Sequence, residues 1–239
     1  MYRLGAIRLC CLSMLVLAAA CNSELPAGPE PEPDPEFARL RIVNAAPGVA
    51  QLEVTRAGST APLAQNLNYG AFTQACVQIP AGEAQTLTFR SGGSDVATAT
   101  FTPAADETYS VFLTGAGATR RAVILSDEAT AAADNNGLRF LNVSSGPGDV
   151  YVTPPGGELT PAMRVHGNIG QTAMGNSQPD FMMTEVARTQ VRFFDVDATT
   201  GAPRAELVLS GLPASRLASV VLADVASAGP SASFVTYPC

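Results

Sequence analysis

The chain has 239 residues, a formal charge of −7, no tryptophan, and fourteen basic residues that are all arginine. An acidic chain carries the wrong sign for nucleic acid or another polyanion, and the lack of lysine excludes Schiff-base and lysine general-base chemistry. Plentiful Gly, Pro, Ala, Thr, Ser and Val suit short strands separated by many turns.

The chain opens with Arg3 and Arg8, followed by an apolar run from Leu9 to Ala20 broken only by Ser13. That run is shorter than the roughly 20 residues needed to span a bilayer, so residues 1–20 read as an export signal. It ends in Leu17-Ala-Ala-Ala-Cys21, which resembles the lipobox of bacterial lipoproteins, although the family more often has leucine where Ala18 stands. Cleavage before Cys21 and lipidation of its thiol are expected, anchoring the protein in the cell envelope by lipid rather than by a helix. Ala18-Ala-Ala20 is also a small-x-small site for ordinary signal peptidase, which would cut at the same bond and release a soluble product. Asn22 in place of aspartate after the cysteine favours the outer membrane where the host has one. Cleavage would remove Arg3 and Arg8 and take the charge from −7 to −9.

Residues 21–36 hold the lipidated cysteine and a tether, Asn22 to Glu36, whose five prolines and five acids favour extended, self-repelling polyproline structure. At about 3.1 Å per residue, it would hold the folded part roughly 45 Å from the lipid.

From Arg39 onward the sequence repeats itself. Arg39 to Thr55 aligns without gaps on Gly137 to Thr153, with Leu40/Leu138, Arg41/Arg139, Asn44/Asn142, Gly48/Gly146, Val54/Val152 and Thr55/Thr153 identical. The register slips later, but Ser110-Val-Phe-Leu113 still matches Ser219-Val-Val-Leu222. One unit of about 100 residues is therefore read twice. Residues 37–128 form the first domain, 129–136 a linker in which Ala129 to Ala133 suit a helical turn, and 137–239 the second. Within each unit apolar residues alternate at period two, as at Leu87 and Phe89 between Thr86, Thr88 and Arg90, the mark of half-buried strands. Turn signals such as Ala46-Pro47-Gly48, Ser91-Gly92-Gly93 and Pro154-Pro155-Gly156-Gly157 separate the runs. Six or seven antiparallel strands per unit predict an all-β chain of two tandem immunoglobulin-like sandwiches.

The opening Leu40-Arg-Ile-Val-Asn-Ala-Ala-Pro47, the Tyr69-Gly70 turn, Ile79-Pro-Ala-Gly82 and the closing Ala122-Val-Ile-Leu-Ser-Asp127 resemble the bacterial domain-of-unknown-function 4397 family. The resemblance extends loosely through a second copy to residue 237, and members often carry two copies behind a lipoprotein signal. It implies a β-sandwich envelope module; the family has no assigned catalytic residues to carry over.

Catalytic candidates are few. His166 is the only histidine, so no two-histidine metal motif can be written, and it reads as a strand-end residue facing water. Asp195, Asp197 and Glu206 occupy several positions of a calcium loop, but Thr200 stands where the sharp bend wants glycine; a plain hairpin is the competing reading. Arg41 and Arg139 are expected to lay their stems along the sheet with heads near a carboxylate. Cys76 and Cys239 remain once Cys21 is lipidated, and in an oxidising compartment they are expected to pair, which requires the two domains to lie side by side; a buried free Cys76 with an unpaired Cys239 is the alternative. No cofactor is expected. These features point to a non-enzymatic, lipid-anchored binding module for a protein, a glycan or the cell wall, with a structural spacer, or an envelope hydrolase, as alternatives.

Overall fold

A computed structural model describes residues 36–127, 135–144, 146–170, 182–185, 190–198, 201–209, 217–223, 232–236, 238 and 239. The lipobox with Cys21, the tether, Ala129 to Ala133 and Thr200 lie outside the described residues.

The chain is all-β. Its first eight strands are β1 (Phe37–Asn44), β2 (Leu52–Arg56), β3 (Ala64–Leu67), β4 (Val77–Pro80), β5 (Gln85–Ser91), β6 (Ser94–Phe101), β7 (Thr108–Thr114) and β8 (Arg121–Ser126). Eight more follow: β9 (Asn135–Asn142), β10 (Gly148–Thr153), β11 (Arg164–Ile169), β12 (Met182–Glu185), β13 (Gln190–Phe194), β14 (Ala205–Val208), β15 (Leu217–Ala223) and β16 (Ala232–Thr236). They build four four-stranded sheets in the orders β4-β1-β7-β8, β3-β2-β5-β6, β12-β9-β15-β16 and β11-β10-β13-β14. Adding eight to each strand number turns the first two orders into the last two, so both halves share one frame.

Three details differ from the sequence expectation. Among the described residues each half has eight strands rather than six or seven, because four-residue edge strands such as β3 and β12 are too short for alternation to be seen. The pairing is not wholly antiparallel: β1 runs parallel to β7, and β9 to β15. The expected linker is also shorter, since β9 begins at Asn135 and pairs with β12 from there.

Alternation sets the layers. In β5, Leu87 and Phe89 are buried while Thr86, Thr88 and Arg90 stay partly exposed, the pattern of a sheet with one wet face. In β1 and β7 the run is buried on both faces, and there the sequence is near-continuously apolar. Three cores result. Leu40, Ile42, Leu52, Leu87, Phe89, Val111 and Leu113 fill the space between the first two sheets, and Phe140, Val150, Val152, Val191, Phe193 and Val220 fill that between the last two. A third core joins the halves: Val43, Phe112, Val123 and Leu125 meet Leu141, Val143 and Val221. Each such fully buried aliphatic or aromatic side chain contributes about 1.5–3 kcal/mol. Residues 35–239 accordingly form one compact unit.

Candidate functional site

The repeated asparagines shape the loops at one end of each half. Buried Asn44 donates from Nδ2 to the carbonyls of Val49 and Leu67, each at 2.9 Å, and accepts from Ala46 N. Asn142 does the same with Gly146 O, Ile169 O and Ser144 N. One amide thus ties the loop after β1 to the end of β3, and its counterpart ties the loop after β9 to the end of β11. Asn66 and Asn168, each next to the residue so tied, hold equivalent positions and both adopt positive φ, 55° and 53°, a conformation asparagine tolerates better than most side-chain-bearing residues.

The repeated arginines serve the joint between the halves. Arg139 is buried; it donates to Ser219 Oγ, to Ser126 O at 2.9 Å and to Asp127 Oδ1 at 2.5 Å, while Ser110 Oγ donates to Asp127 Oδ2 at 2.8 Å. Arg41 donates to the carbonyls of Thr73 and Gln74, reaches Pro238 O at 3.4 Å, and lies over the Phe72 ring. Arg139 thus holds the end of the first half at Ser126 and Asp127, whereas Arg41 bonds chiefly within its own half and reaches the second only at Pro238 O. Burial pushes the Asp127 carboxyl up from its ordinary range, against the opposing pull of Arg139 and Ser110, and burial likewise lowers Arg139. The expected carboxylate partner is present for Arg139; Arg41 is satisfied chiefly by carbonyls. Beside this joint Cys76 and Cys239 are disulfide-linked, with Cα atoms 5.7 Å apart across 163 residues.

The ends of the two outer sheets differ. In the first half, Gln51, Leu52, Glu53, Gln65, Asn66 and the Arg90–Gly93 hairpin line a solvent-open cleft of about 330 Å³. Arg90 sits on the cleft wall, 2.8 Å from Asp95 and 3.9 Å from Glu53. The cleft therefore presents a guanidinium, a carboxylate, three side-chain amides and a serine, with no aromatic ring among its lining residues.

In the second half the same frame position carries Asp149 in place of Gln51, and its carboxylate is fully buried. It accepts from Asn168 N at 2.7 Å, from Asp197 N at 3.0 Å and from Arg164 at 3.2 Å. Desolvation raises its pKa, but these backbone N–H groups and Arg164 outweigh that and hold it below the ordinary carboxylate range. Arg192, the counterpart of Arg90, is tied to Thr153, Gly157 O and Gln190. Among the described residues, the second half thus engages at these positions side chains whose counterparts in the first half line the cleft.

The sequence candidates fall elsewhere. His166 lies on exposed strand β11 with its ring edge-on to Phe140 at 5.6 Å, and partial desolvation there lowers its pKa. The three calcium candidates are not brought together: Asp195 lies 3.7 Å from Arg204, Asp197 lies 3.4 Å from Arg164, and Glu206 accepts from Gln190. Among the described residues no group of three His, Cys, Asp or Glu side chains could hold a metal. Glu53, Arg90 and Asn66 were not singled out by the sequence. The Ser91-Gly-Gly turn was visible, but nothing in its spacing signals that it meets residues 51–53 and 65–66.

Residues 38–153 match the family described as Domain of unknown function (DUF4397). The match supports that family over the whole first half and through β10; residues 154–239 lie outside it. No curated protein matches the chain.

Proposed function

We propose that this chain is a cell-envelope lipoprotein, anchored through Cys21, that binds an extracytoplasmic protein, glycan or cell-wall component without catalysing a reaction, and does so through the open end of its first half. In this reading the two halves are tandem immunoglobulin-like copies of the family module, and the Pro/acid-rich tether holds them clear of the membrane, the outer one where the host has two. The carrying observation is the cleft bounded by Gln51, Glu53, Asn66 and Arg90; at the position of Gln51 the second half has Asp149, buried and bonded to Asn168 N, Asp197 N and Arg164. Loops held by a rigid β scaffold are where recognition residues concentrate, and a cleft lined by amides, carboxylate and guanidinium suits a polar, hydrogen-bonding partner. A purely structural spacer is the second reading; the shared core and the arginine bonds across the joint favour it, since they make the halves one stiff body.

The test is proximity labelling in the native envelope with the full chain and with a Glu53→Ala/Arg90→Ala variant, which leaves the local charge balance unchanged. The binding reading expects specific neighbours that the variant loses. An identical set of neighbours for both would leave the spacer reading. Palmitate-analogue labelling that disappears in Cys21→Ala checks the anchor.

A further inference from the structure

An arginine lies over the same glycine in both halves, with different fates. In the second half, Arg204 Nη1 stands 3.8 Å from where a Cβ on Gly146 would lie. It donates to Pro147 O at 2.9 Å and Gly146 O at 3.3 Å, its Nη2 reaches Ser144 Oγ at 3.0 Å, and Asp195 lies 3.7 Å away. In the first half, Arg120 Nη2 stands 3.6 Å from the corresponding position on Gly48. Among the described residues the Arg120 side chain makes no hydrogen bond or ion pair, and its Nε is buried without a partner. The buried Nε, like that of Arg192, is shielded from outside, so the Nη groups beside Gly48 are the donors that an incoming anion can meet.

Beside Arg120's glycine lies an apolar pocket of about 260 Å³ formed by Pro47, Gly48, Val49, Ala50 and Tyr69. Its walls are held in place. Asn44 bonds Val49 O; Val49 N closes a turn onto Ala46 O at 3.2 Å, with Gly48 at φ 77°; and Gly70 N bonds Asn44 O. Arg120 leaves a single 3-10 turn, Gly117–Thr119, over which Gly115 is obligatory: a Cβ there would lie 2.4 Å from Thr119 O.

We propose that Arg120 and this pocket form a carboxylate-binding site that takes the C-terminal carboxylate of a peptide ending in a small aliphatic residue. The planar guanidinium pairs two N–H donors with the two carboxylate oxygens, and the terminal side chain enters the pocket. A sugar acid has no aliphatic group beside its carboxylate and leaves the pocket unused. The pocket wall at Ala50 is followed directly in the chain by Gln51 of the polar cleft. The inference rests on the proposed binding role and names the ligand class.

The test uses the full chain in detergent and ligand-observed NMR titration with N-acetyl-Ala-Ala, its C-terminal amide, and glucuronic acid. The expected result is saturable binding of the free acid, with the amide and glucuronic acid each at least tenfold weaker. Arg120→Gln should lose at least tenfold while its melting temperature stays unchanged, and Ala50→Phe, which fills the pocket and keeps the arginine, should lose binding too. Equal affinity for acid and amide, preference for glucuronic acid, undiminished binding by Arg120→Gln, or no binding of the free acid overturns the proposal. If the Glu53→Ala/Arg90→Ala variant still loses its envelope neighbours in that event, the binding role stands and only the ligand class fails.

Discussion

The loop end of the first half and the loop end of the second are built on equivalent strands, around an equivalent buried asparagine, yet among the described residues their polar side chains are engaged differently. Gln51 faces solvent where Asp149 is buried and takes two backbone N–H groups and an arginine. Arg120 has no partner where Arg204 has several. The two ends differ by a handful of polar side chains rather than by the frame.

The halves share a core and a disulfide, and breaking these links gives the largest expected effects. Reducing the Cys76–Cys239 bond, or Cys239→Ser, should cost about 5 kcal/mol on the chain-entropy model for a loop of this length, read as a lower urea midpoint. A loss under about 1 kcal/mol would mean that the halves are held together without it. Arg139→Leu strands Asp127 in the joint and should cost about 3–5 kcal/mol. Arg41→Leu removes hydrogen bonds to carbonyls at the joint's edge and should cost about 1–2 kcal/mol. Equal costs would erase the asymmetry between the two grips.

The ends themselves are compared by one position. Asp149→Ala leaves the N–H groups of Asn168 and Asp197 unpaired and should cost about 2–3 kcal/mol, whereas Gln51→Ala should change stability by less than about 0.5 kcal/mol. The smallest effect is pH-dependent. The folded pKa of Asp149 lies below its unfolded value of about 3.9, so its stabilisation is complete above that value and is lost as pH falls through the folded pKa. Acid titration of the melting temperature should be less steep below about pH 4 in Asp149→Asn than in the unaltered chain; parallel curves would mean that Asp149 is not held ionised.

Much of the frame was legible in the sequence because burial writes itself as alternation. Leu87/Phe89 and the run from Leu40 to Val43 announce a half-wet strand and a doubly buried one, and Leu-Arg-x-x-Asn read twice announces the repeat. The parallel pairing of β1 with β7 was not legible, since period two marks a strand but says nothing of its neighbour's direction. The arginine pair was visible as a repeat, but its bonds to the opposite half needed the third core to be known. The candidate site was least legible. Gln51, Asn66 and Arg90 are ordinary surface residues until β2, β3 and the β5–β6 hairpin bring them to one end, and Arg120 stands out only through the partners it lacks. The calcium pattern misled because sequence spacing placed together three carboxylates that bond Arg204, Arg164 and Gln190 separately.

The asymmetry between the ends is tested most directly by a photo-activated cross-linking residue placed at Gln65, and separately at Gly167, its exposed counterpart in the frame. With the full chain in its native envelope, the account predicts a covalent adduct at position 65 that Glu53→Ala/Arg90→Ala abolishes, and none at position 167. Adducts of equal yield at both positions, or at position 167 alone, would contradict it.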